Sequence, residues 1–421
     1  MGLKPGYKQT EVGVIPEDWD VDMLASVTPK NARNGIVDGP FGSNLKTIHY
    51  RKSGIPIITS GYVTEGKFSA EAYLYVDREK FEEEKRSAVR PGDIVMAKIG
   101  ARCGASAILP EWHETGILSG NALKITVDPL RHSTFYIWQV LWDLYSAGRI
   151  EPLKTVGAQP AISMANLKRY KIPLPQLREQ RAIAAALSDV DVLIGALGQL
   201  IAKKRDLKQA AMQQLLTGKT RLPGFSGDWE VKRLGEVADI ISGGTPRTGV
   251  PAYWDGGIRW CTPTDITGTA GKYLSETERT ISQAGLANCS ARLVPAGTLL
   301  LCSRATIGEL KIAAREVCTN QGFKSLIVKR GVGNEFLYYL LLTMKPRMVE
   351  RAIGSTFLEI SKKDTASLEV KLPLFDEQTA IAAVLSDMDA ELAALEQRLG
   401  KTRALKQGMM QELLAGRTRL V

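Results

Sequence analysis

The sequence predicts an α/β (or α+β) protein with two globular domains, each followed by one long α-helix. Three observations lead to this fold class. A 44-residue segment at 179–222 recurs at 377–420 with 26 identical positions. Each copy carries apolar residues at coiled-coil spacing. Each copy also follows a longer stretch that mixes short strand signals with helical runs. The chain is therefore expected to be an internal repeat with approximate two-fold symmetry.

The first globular domain is predicted over residues 1–170. The apolar runs GIPIIT, YLYVD and NALKITV predict strands, and FYIWQVLWDLY predicts a helix. Trp19 is expected to anchor the core, as is its repeat counterpart Trp229. The order in which the strands pair does not follow from these signals.

The first long helix is predicted within 171–222, from about residue 179 to 217. Pro175 precedes it and Gly218 follows it, as start and stop signals do. Its apolar residues alternate spacings of four and three, which is typical of an a/d packing seam. The seam consists of Ile183, Leu187, Val190, Ile194, Leu197 and Ile201.

The second domain, 223–370, and the second helix segment, 371–421, repeat this plan between the same landmarks. FKSLIV predicts a strand, EFLYYLLLTMKPRMVERAI predicts helix, and Pro373 and Gly416 bound the helix. The second seam consists of Ile381, Leu385, Met388, Leu392, Leu395 and Leu399. Two matching seams favour an antiparallel coiled coil, and two independent amphipathic helices are the alternative.

Composition indicates the partners rather than the fold. The net charge is +10 and the pI is about 9.2, which favours a polyanion such as nucleic acid. The five cysteines form no CxxC pair, which is typical of the reducing cytoplasm. The sequence shows no signal peptide and no run of about 20 apolar residues, so no membrane partner is expected.

Catalytic motifs are missing from the sequence. It contains no GxxxxGK[ST], GxGxxG or HExxH pattern. The segment Asp38–Phe41 reads DGPF, which departs from the Asp/Asn-Pro-Pro-Tyr/Phe motif of amino-methyltransferases. Asp189 and Asp191 stand two apart on a predicted helix and share no face, so they do not form a metal site. We therefore expect no bound cofactor and no metal in this chain.

The paired pattern EQxAIAAxLSDxD…LKQxxMQxLLxGxTRL resembles the specificity subunits of type I restriction–modification systems. The resemblance covers essentially the whole chain, and DGPFGSNLK resembles a loop found in the target-recognition domains of that family. It implies that each domain reads half of a split double-stranded DNA sequence. It also implies that the helices set the spacer and dock two methyltransferase subunits. Those subunits bind S-adenosylmethionine and methylate adenine, and restriction (motor–nuclease) subunits complete the assembly. The resemblance therefore implies that this chain supplies recognition and is not itself an enzyme, and the missing catalytic motifs agree with that.

Candidate DNA contacts lie in loops that contain glycine and polar or basic residues. Such side chains pair with base edges and phosphates. Lys98 and Arg102 lie in the segment 89–104, which resembles the segment 293–308 that contains Arg304 in the second half. The full set is Ser43, Asn44, Lys46, Lys98, Arg102 and Gln159 in the first domain, and Thr245, Arg247, Tyr253, Trp254, Thr264, Asp265 and Arg304 in the second. Because the loops differ between the halves, the target is expected to be asymmetric.

Two other classes of protein remain open at this point. One is a complete restriction–modification enzyme, which saturable S-adenosylmethionine binding by this chain would reveal. The other is a structural coiled-coil protein that binds DNA without sequence preference. In that case unrelated DNA would compete equally well, with steep salt dependence.

Overall fold

The computed structural model describes residues 5–40, 42–64, 66–155, 157, 159–354 and 358–420, apart from the side chain of Ser43. The chain forms two compact units. One comprises Met1–Gly195 with Gly400–Val421, and the other comprises Ala196–Leu399. Both boundaries fall inside the long helices, so each helix contributes residues to both units.

The first unit is built from short strands, the 13-residue helix α2 and two helices of six residues each. The first of the two long helices, α4, begins in this unit. Its helices are α1 (Arg78–Glu83), α2 (Thr134–Ser146), α3 (Met164–Arg169) and the start of α4 (Leu177–Leu215). Its strands are β1 (Tyr7–Thr10), β2 (Gly13–Pro16), β3 (Asp20–Met23), β4 (Ile36–Asp38), β5 (Ile55–Ile58), β6 (Val63–Thr64), β7 (Lys67–Phe68), β8 (Tyr75–Val76), β9 (Ala88–Val89), β10 (Ile94–Ala97), β11 (Ser106–Ile108), β12 (Gly116–Leu118), β13 (Ala122–Ile125) and β14 (Lys171–Leu174).

The second unit contains fewer and longer strands. Its strands are β15 (Glu230–Arg233), β16 (Ala238–Ser242), β17 (Trp254–Cys261), β18 (Tyr273–Leu274), β19 (Arg279–Ile281), β20 (Leu299–Cys302), β21 (Leu310–Ala313), β22 (Cys318–Thr319), β23 (Phe323–Val328) and β24 (Glu369–Leu372). Its helices are α5 (Leu234–Val237), α6 (Pro263–Gly268), α7 (Gln283–Ala287), α8 (Asn334–Thr343), α9 (Lys345–Glu350) and α10 (Lys362–Ala366), together with the start of α11 (Phe375–Leu413).

The sheets of the two units share most of their strand order. The antiparallel order β11-β10-β13-β4 of the first unit recurs as β21-β20-β23-β16 in the second, which adds β18 at its edge. Each unit also has another sheet that contains one parallel pair. In the first unit β5 pairs with β12, and in the second unit β17 pairs with β22. The predicted strands are therefore observed, and the repeat extends from the helices to the sheet connectivity.

The long helices confirm the predicted seams. All twelve seam residues are buried or half-buried, and Ile183, Leu187, Ile381 and Leu385 are fully buried. In the second unit, Lys204 pairs with Glu391 and Lys208 pairs with Asp389. Residue numbers therefore rise along α4 as they fall along α11, which is the arrangement of antiparallel helices. In the first unit, Lys406 pairs with Asp191 at 2.8 Å, and this pair is the repeat counterpart of Lys208–Asp389. Helix pairing is antiparallel, as predicted.

Each unit has a cluster of hydrogen bonds and ion pairs at the start of its long helix. In the first unit, Glu179 is 1% exposed, accepts a hydrogen bond from Trp19 Nε1 (3.0 Å) and pairs with Arg419 (2.6 Å). In the second unit, Glu377 is 1% exposed and pairs with Arg221 (2.5 Å). The neighbouring glutamine, Gln180 or Gln378, bonds to the carbonyl of Pro175 or Pro373. The repeated EQ and TRL motifs therefore build this cluster.

Each core includes the C-terminal end of the helix that begins in the other unit. Met410, Leu413 and Leu414 pack in the first core around Trp19, and Leu215 and Leu216 pack in the second. The predicted stop signals Gly218 and Gly416 both adopt positive φ, 71° and 66°, a conformation that suits glycine. A Cβ on Gly416 would lie 2.5 Å from Pro16, which explains why this position admits no side chain.

By length and composition alone, α4 could cross a membrane, in contrast with the expectation from the sequence. Its apolar residues have another use, however, because they form the packing seam and join the domain core. The helix also carries Asp191, which pairs with Lys406. These contacts account for the apolar residues on the face of α4 that carries the seam.

Candidate nucleic-acid interface

Three loops of the first unit converge beside the end of β4. Asp38 ends that strand, and its carboxylate accepts a hydrogen bond from Lys98 Nζ at 2.5 Å. Lys98 is 8% exposed, so the ammonium group is held inside the domain by this pair. Both basic residues of this loop, Lys98 and Arg102, are predicted DNA contacts. In the structure Lys98 is buried and holds the loop in place, whereas Arg102 is exposed to solvent.

Arg102 and Gln159 are both exposed on neighbouring loops. The Arg102 guanidinium donates to the carbonyl of Val63 (3.4 Å) and to Thr64 Oγ1 (3.3 Å). Gly100 N donates to the carbonyl of Pro160, which joins the loop of Arg102 to that of Gln159. The structure thus brings together two of the predicted contact residues that are far apart in sequence.

The loop after Asp38 carries the remaining candidates of the first unit. Asn44 and Lys46 are exposed, and Asn44 ends a short 3₁₀ turn, Gly42–Asn44. The Lys46 backbone N donates to His49 Nδ1 at 3.1 Å, which fixes the following turn. The side chain of Ser43 lies outside the described residues. Asn44 and Lys46 are therefore accessible to solvent on the loop that follows Asp38.

The corresponding loop of the second unit, 243–249, is bonded to two other segments. Thr245 Oγ1 donates to Gln321, and the Trp260 indole N–H donates to the carbonyl of Gly244 (2.9 Å). Trp254 Nε1 donates to the carbonyl of Arg247 at 3.3 Å. Thr245 and Arg247 are exposed, whereas Trp254 is 8% exposed. Trp254 is therefore buried and holds the loop through this hydrogen bond, and Thr245 and Arg247 are the predicted contact residues that the loop exposes to solvent.

Tyr253, Thr264 and Asp265 have different environments. Tyr253 is half-buried, and Thr264 is exposed in the first turn of α6. The Asp265 carboxylate accepts from Thr262 N and Thr262 Oγ1, both at 2.7 Å, and from Glu278 N at 2.8 Å. Asp265 therefore caps α6, and its oxygen atoms are engaged within the domain.

Arg304 follows β20 as Lys98 follows β10, and it also forms an ion pair. Its Nε donates to Glu359 Oε2 at 2.5 Å, and Lys324 Nζ lies 3.1 Å from Glu359 Oε1. Burial raises the pKa of Glu359, but the hydrogen bonds from Arg304 and Lys324 outweigh burial, so the pKa lies below its usual value. Arg304 is exposed and fixed by this pair, which lowers the entropy that a further contact would cost.

Sequence reasoning missed Arg279, which belongs to the same surface. Its guanidinium lies 3.7 Å from the centroid of the Trp254 ring and 5.7 Å from that of Trp260. Arg279 is exposed and begins β19, which pairs with β17. A guanidinium stacked on an aromatic face is held in one plane, and this suits bidentate recognition. The sequence signal, an arginine two positions before the strand-forming Ile281, was too weak to identify it.

Among the described residues, no group of three or more His, Cys, Asp or Glu residues could hold a metal ion. Burial raises the pKa of Cys302 to about 11 and that of Cys318 to about 12, so these thiols stay protonated at neutral pH. The fold and surface define an internally duplicated chain that presents one set of polar and basic loops on each unit.

Comparison with known proteins identifies the family. The family model described as "Type I restriction modification DNA specificity domain" matches residues 16–203 and 226–404. The MjaIX specificity subunit, a type I restriction enzyme component of Methanocaldococcus jannaschii, is 41% identical over 164 residues, which is 38% of each chain. The putative MjaX specificity subunit of the same organism is 27% identical over 429 residues, covering 98% of this chain and 97% of that one.

A solved structure shows the same fold. The type I restriction–modification S subunit of M. genitalium superposes with a TM-score of 0.58 at 17% identity, covering 98% of this chain and 99% of that one. The chain belongs to the family of type I restriction–modification DNA specificity domains. The resemblance inferred from the repeated motifs is confirmed, and family membership favours DNA recognition over a non-specific coiled-coil protein.

Proposed function

We propose that this chain addresses a type I restriction–modification complex to DNA, with each unit reading one half of a split, asymmetric sequence. The observation that carries the proposal is the duplicated sheet with unlike loops. Equivalent strands β10 and β20 end in loops that carry Arg102 in one unit and Arg304 in the other. The loops after β4 and β16 carry Asn44 and Lys46 in one unit, and Thr245 and Arg247 in the other. Like scaffolds with different side chains suit two different half-sites.

Exposed arginines and amides are suited to base recognition. Arginine donates two hydrogen bonds to guanine, and asparagine or glutamine pairs with adenine in the major groove. Arg102, Gln159 and Arg279 are exposed and stand on loops or strand ends held by hydrogen bonds or ring stacking. Lysines and threonines on the same loops would contact phosphates and fix the register.

The division of roles along the chain is part of the same proposal. Residues 1–170 and 223–370 act as target-recognition domains, and 171–222 and 371–421 act as the spacer between half-sites. The helices carry an exposed leucine at equivalent positions, Leu207 (47% exposed) and Leu405 (59% exposed). Apolar side chains repeated on a solvent-facing surface suit a protein partner that binds twice.

The catalytic work would fall to other subunits in the cytoplasm. Two methyltransferase subunits would bind S-adenosylmethionine and methylate adenine at N6, and restriction subunits would cleave unmodified DNA. This chain would supply no cofactor site. In support, the family model that matches residues 16–203 and 226–404 describes a DNA specificity domain.

A methylation map tests the function. The chain is expressed with the methyltransferase subunit of its own operon in a host that lacks adenine methylation, and modified bases are located by single-molecule sequencing. We expect N6-methyladenine at one split, asymmetric motif that disappears without this chain. If the methyltransferase is bound and active on other targets but no motif depends on this chain, the addressing role is wrong.

A competition assay separates the proposal from non-specific binding. Both alternatives predict binding that weakens steeply with salt. Only sequence recognition predicts that DNA with the mapped motif competes much better than DNA of matched length with a scrambled motif. Equal competition by both would favour a structural DNA-binding protein.

A further inference from the structure

A polar cluster in the second unit joins the globular domain to both long helices. Lys272 stands immediately before the edge strand β18, and its Nζ lies 2.8 Å from Glu335 Oε2 on α8 and 2.6 Å from Ser386 Oγ on α11. Ser386 Oγ is also 3.0 Å from Glu335 Oε2, so the three groups form a closed triangle. The hydroxyl of Tyr273, the first residue of β18, donates to the Glu335 carboxylate as well. The side chains of Lys272 and Glu335 are 14% and 30% exposed, so the cluster is largely shielded from solvent.

A tyrosine of the domain extends the cluster to the first long helix. Tyr339 on α8 is fully buried, and its hydroxyl donates to Asp389 Oδ2 on α11 at 2.6 Å. Asp389 also pairs with Lys208 on α4. The ammonium groups of Lys208 and Lys272 lie 5.6 Å and 5.5 Å from the centre of the Tyr339 ring. The edge strand, the domain helix and both long helices are therefore connected by hydrogen bonds and ion pairs.

Glu335 carries a negative charge at neutral pH in spite of its partial burial. Burial raises the pKa of Glu335, but the hydrogen bonds from its three partners outweigh burial, so the pKa lies below its usual value. Lys272 therefore donates to a carboxylate, which makes a strong, charge-assisted hydrogen bond. Hydrogen bonds act over a narrow range of distance and angle, whereas apolar contact is non-directional. The cluster thus restricts rotation of the domain on the helices more tightly than the apolar core beside it.

The repeat allows a comparison with the same joint in the first unit. The helices α2 and α8 are equivalent, because the N-cap N–H of each, at Ser133 or Gly333, donates to the glutamine near the start of the long helix in its own unit. The two caps are 200 positions apart (333 − 133 = 200). Residues of α2 and α8 that differ by this number therefore occupy equivalent places.

The domain side of the joint differs between the two units. Phe135 stands at the place of Glu335, and Gln139 stands at the place of Tyr339. The Phe135 ring packs on Trp138, with ring centres 5.0 Å apart. Gln139 is fully buried, and neither Nε2 nor Oε1 of its amide has a hydrogen-bond partner among the described residues. At these two places the first domain meets its surroundings without the hydrogen bonds that Glu335 and Tyr339 make.

We propose that Lys272 is a positioning residue, which fixes the second recognition domain at one angle on the long helices and so makes the complex strict about the distance between half-sites. The inference rests on the proposed function, in which the helices act as the spacer. One base pair more or less between the half-sites displaces a half-site by about 3.4 Å and turns it by about 35° around the DNA axis. A domain that cannot rotate on the helices rejects such a site, whereas a domain held by apolar contact alone can follow it.

A library of spacer lengths tests this role. The chain is expressed with the methyltransferase subunit of its operon in a host that lacks adenine methylation, and plasmids carry the mapped half-sites with the correct spacer or with one base pair more or less. Lys272→Met combined with Glu335→Gln removes both charges, so neither charge is left unpaired. We expect methylation at the incorrect spacers, relative to the correct one, to rise about tenfold, which corresponds to about 1.4 kcal/mol. A general loss of stability would lower methylation at every spacer and leave this ratio unchanged.

Ser386→Ala is a milder variant, because it removes one hydroxyl of the triangle and alanine suits a helix. It should raise the same ratio by less than the double variant, and it decides the question if the double variant does not fold. The matched control is Lys329→Met with Asp239→Asn, which removes an exposed ion pair of the same domain (3.4 Å) and should keep the wild-type ratio. Circular dichroism melting checks that each chain is folded.

The outcomes separate the positioning role from the proposed function. Folded variants that keep the wild-type ratio would overturn the positioning role and leave the addressing role intact. An equal rise in the control would show that loss of any ion pair loosens the domain, and it would overturn the specific role of Lys272. A wild-type chain that directs no methylation to the half-sites would remove the proposed function, and the positioning role with it.

Discussion

Arg419 and Glu179 form a two-pronged ion pair between residues 240 positions apart in sequence. Arg419 Nε lies 2.6 Å from Glu179 Oε1, and Nη2 lies 2.9 Å from Oε2. The same guanidinium holds Asp18 at 2.7 Å and lies 5.9 Å from the centre of the Trp19 ring. Arg221 and Glu377 repeat the pair in the second unit with Nε–Oε1 and Nη2–Oε2 both at 2.5 Å. These contacts hold the last residues of each repeat to the domain core.

Loss of this arginine should destabilise the first unit. Among the described residues, Arg419→Ala leaves the buried Glu179 carboxylate with only the Trp19 indole as a hydrogen-bond donor, and we expect a loss of about 2–3 kcal/mol in the free energy of unfolding. Arg417→Ala, which removes an exposed pair with Glu412, should cost less than about 1 kcal/mol. Urea denaturation of both variants measures the difference, and equal losses would contradict the role given to Arg419.

The seam leucines should contribute far more to stability than the exposed ones. Leu187→Ala and Leu385→Ala remove fully buried equivalents, and each should cost about 2–5 kcal/mol. Leu207→Ala and Leu405→Ala remove exposed equivalents and should change the free energy of unfolding by at most about 0.5 kcal/mol. Thermal and urea unfolding of the four chains provide the measurement. A large loss at Leu207 would show that this residue packs within the chain.

The pair of Glu359 with Arg304 and Lys324 should contribute stability that depends on pH. Because the pKa of Glu359 is lowered in the folded chain, the contribution is complete above the ordinary value of 4.5 and is lost as pH falls through the lowered pKa. Glu359→Gln should therefore be less stable than the wild type at pH 6, and the difference should shrink towards pH 3. A difference that stays constant from pH 6 to pH 3 would exclude this linkage.

Arg279 should determine specificity for one half-site if the addressing role holds. Arg279→Ala is expected to relax recognition at one base by about 1–3 kcal/mol, or roughly 5- to 150-fold. Arg279→Lys keeps the charge but lacks the planar fork, so it should restore affinity without restoring specificity. Methylation mapping should show the change in one half of the motif only. Arg102→Ala should alter the other half, and a change in both halves would contradict separate readers.

The long helices and the repeat could be predicted because their signals are local. The first helix was expected over about 179–217 and spans Leu177–Leu215, and both seams are buried as their spacing indicated. The strands expected from GIPIIT and FKSLIV are β5 and β23. The sequence predicts one continuous helix from 335 to 353, whereas the structure divides this run into α8 and α9 next to Pro346.

The surface was harder to predict because it depends on contacts between distant residues. Lys98 is basic and loop-like in sequence, and only its pair with Asp38, sixty positions earlier, places it inside the domain. Trp254 was expected to face DNA but lies under Arg279 and holds the carbonyl of Arg247. Trp19 is a core anchor as expected, whereas Trp229 is only half-buried, and its indole N–H has no partner among the described residues.

The placement of Met410, Leu413 and Arg419 in the first unit has a consequence for the order of events on the ribosome. The amino-terminal unit lacks part of its core and the cation for Glu179 until residues 400–420 have been synthesised. At about 5–20 residues per second, roughly 200 further residues take about 10–40 s to emerge. During that interval the nascent chain exposes an unfinished apolar surface, so chaperone protection would be needed most before translation ends.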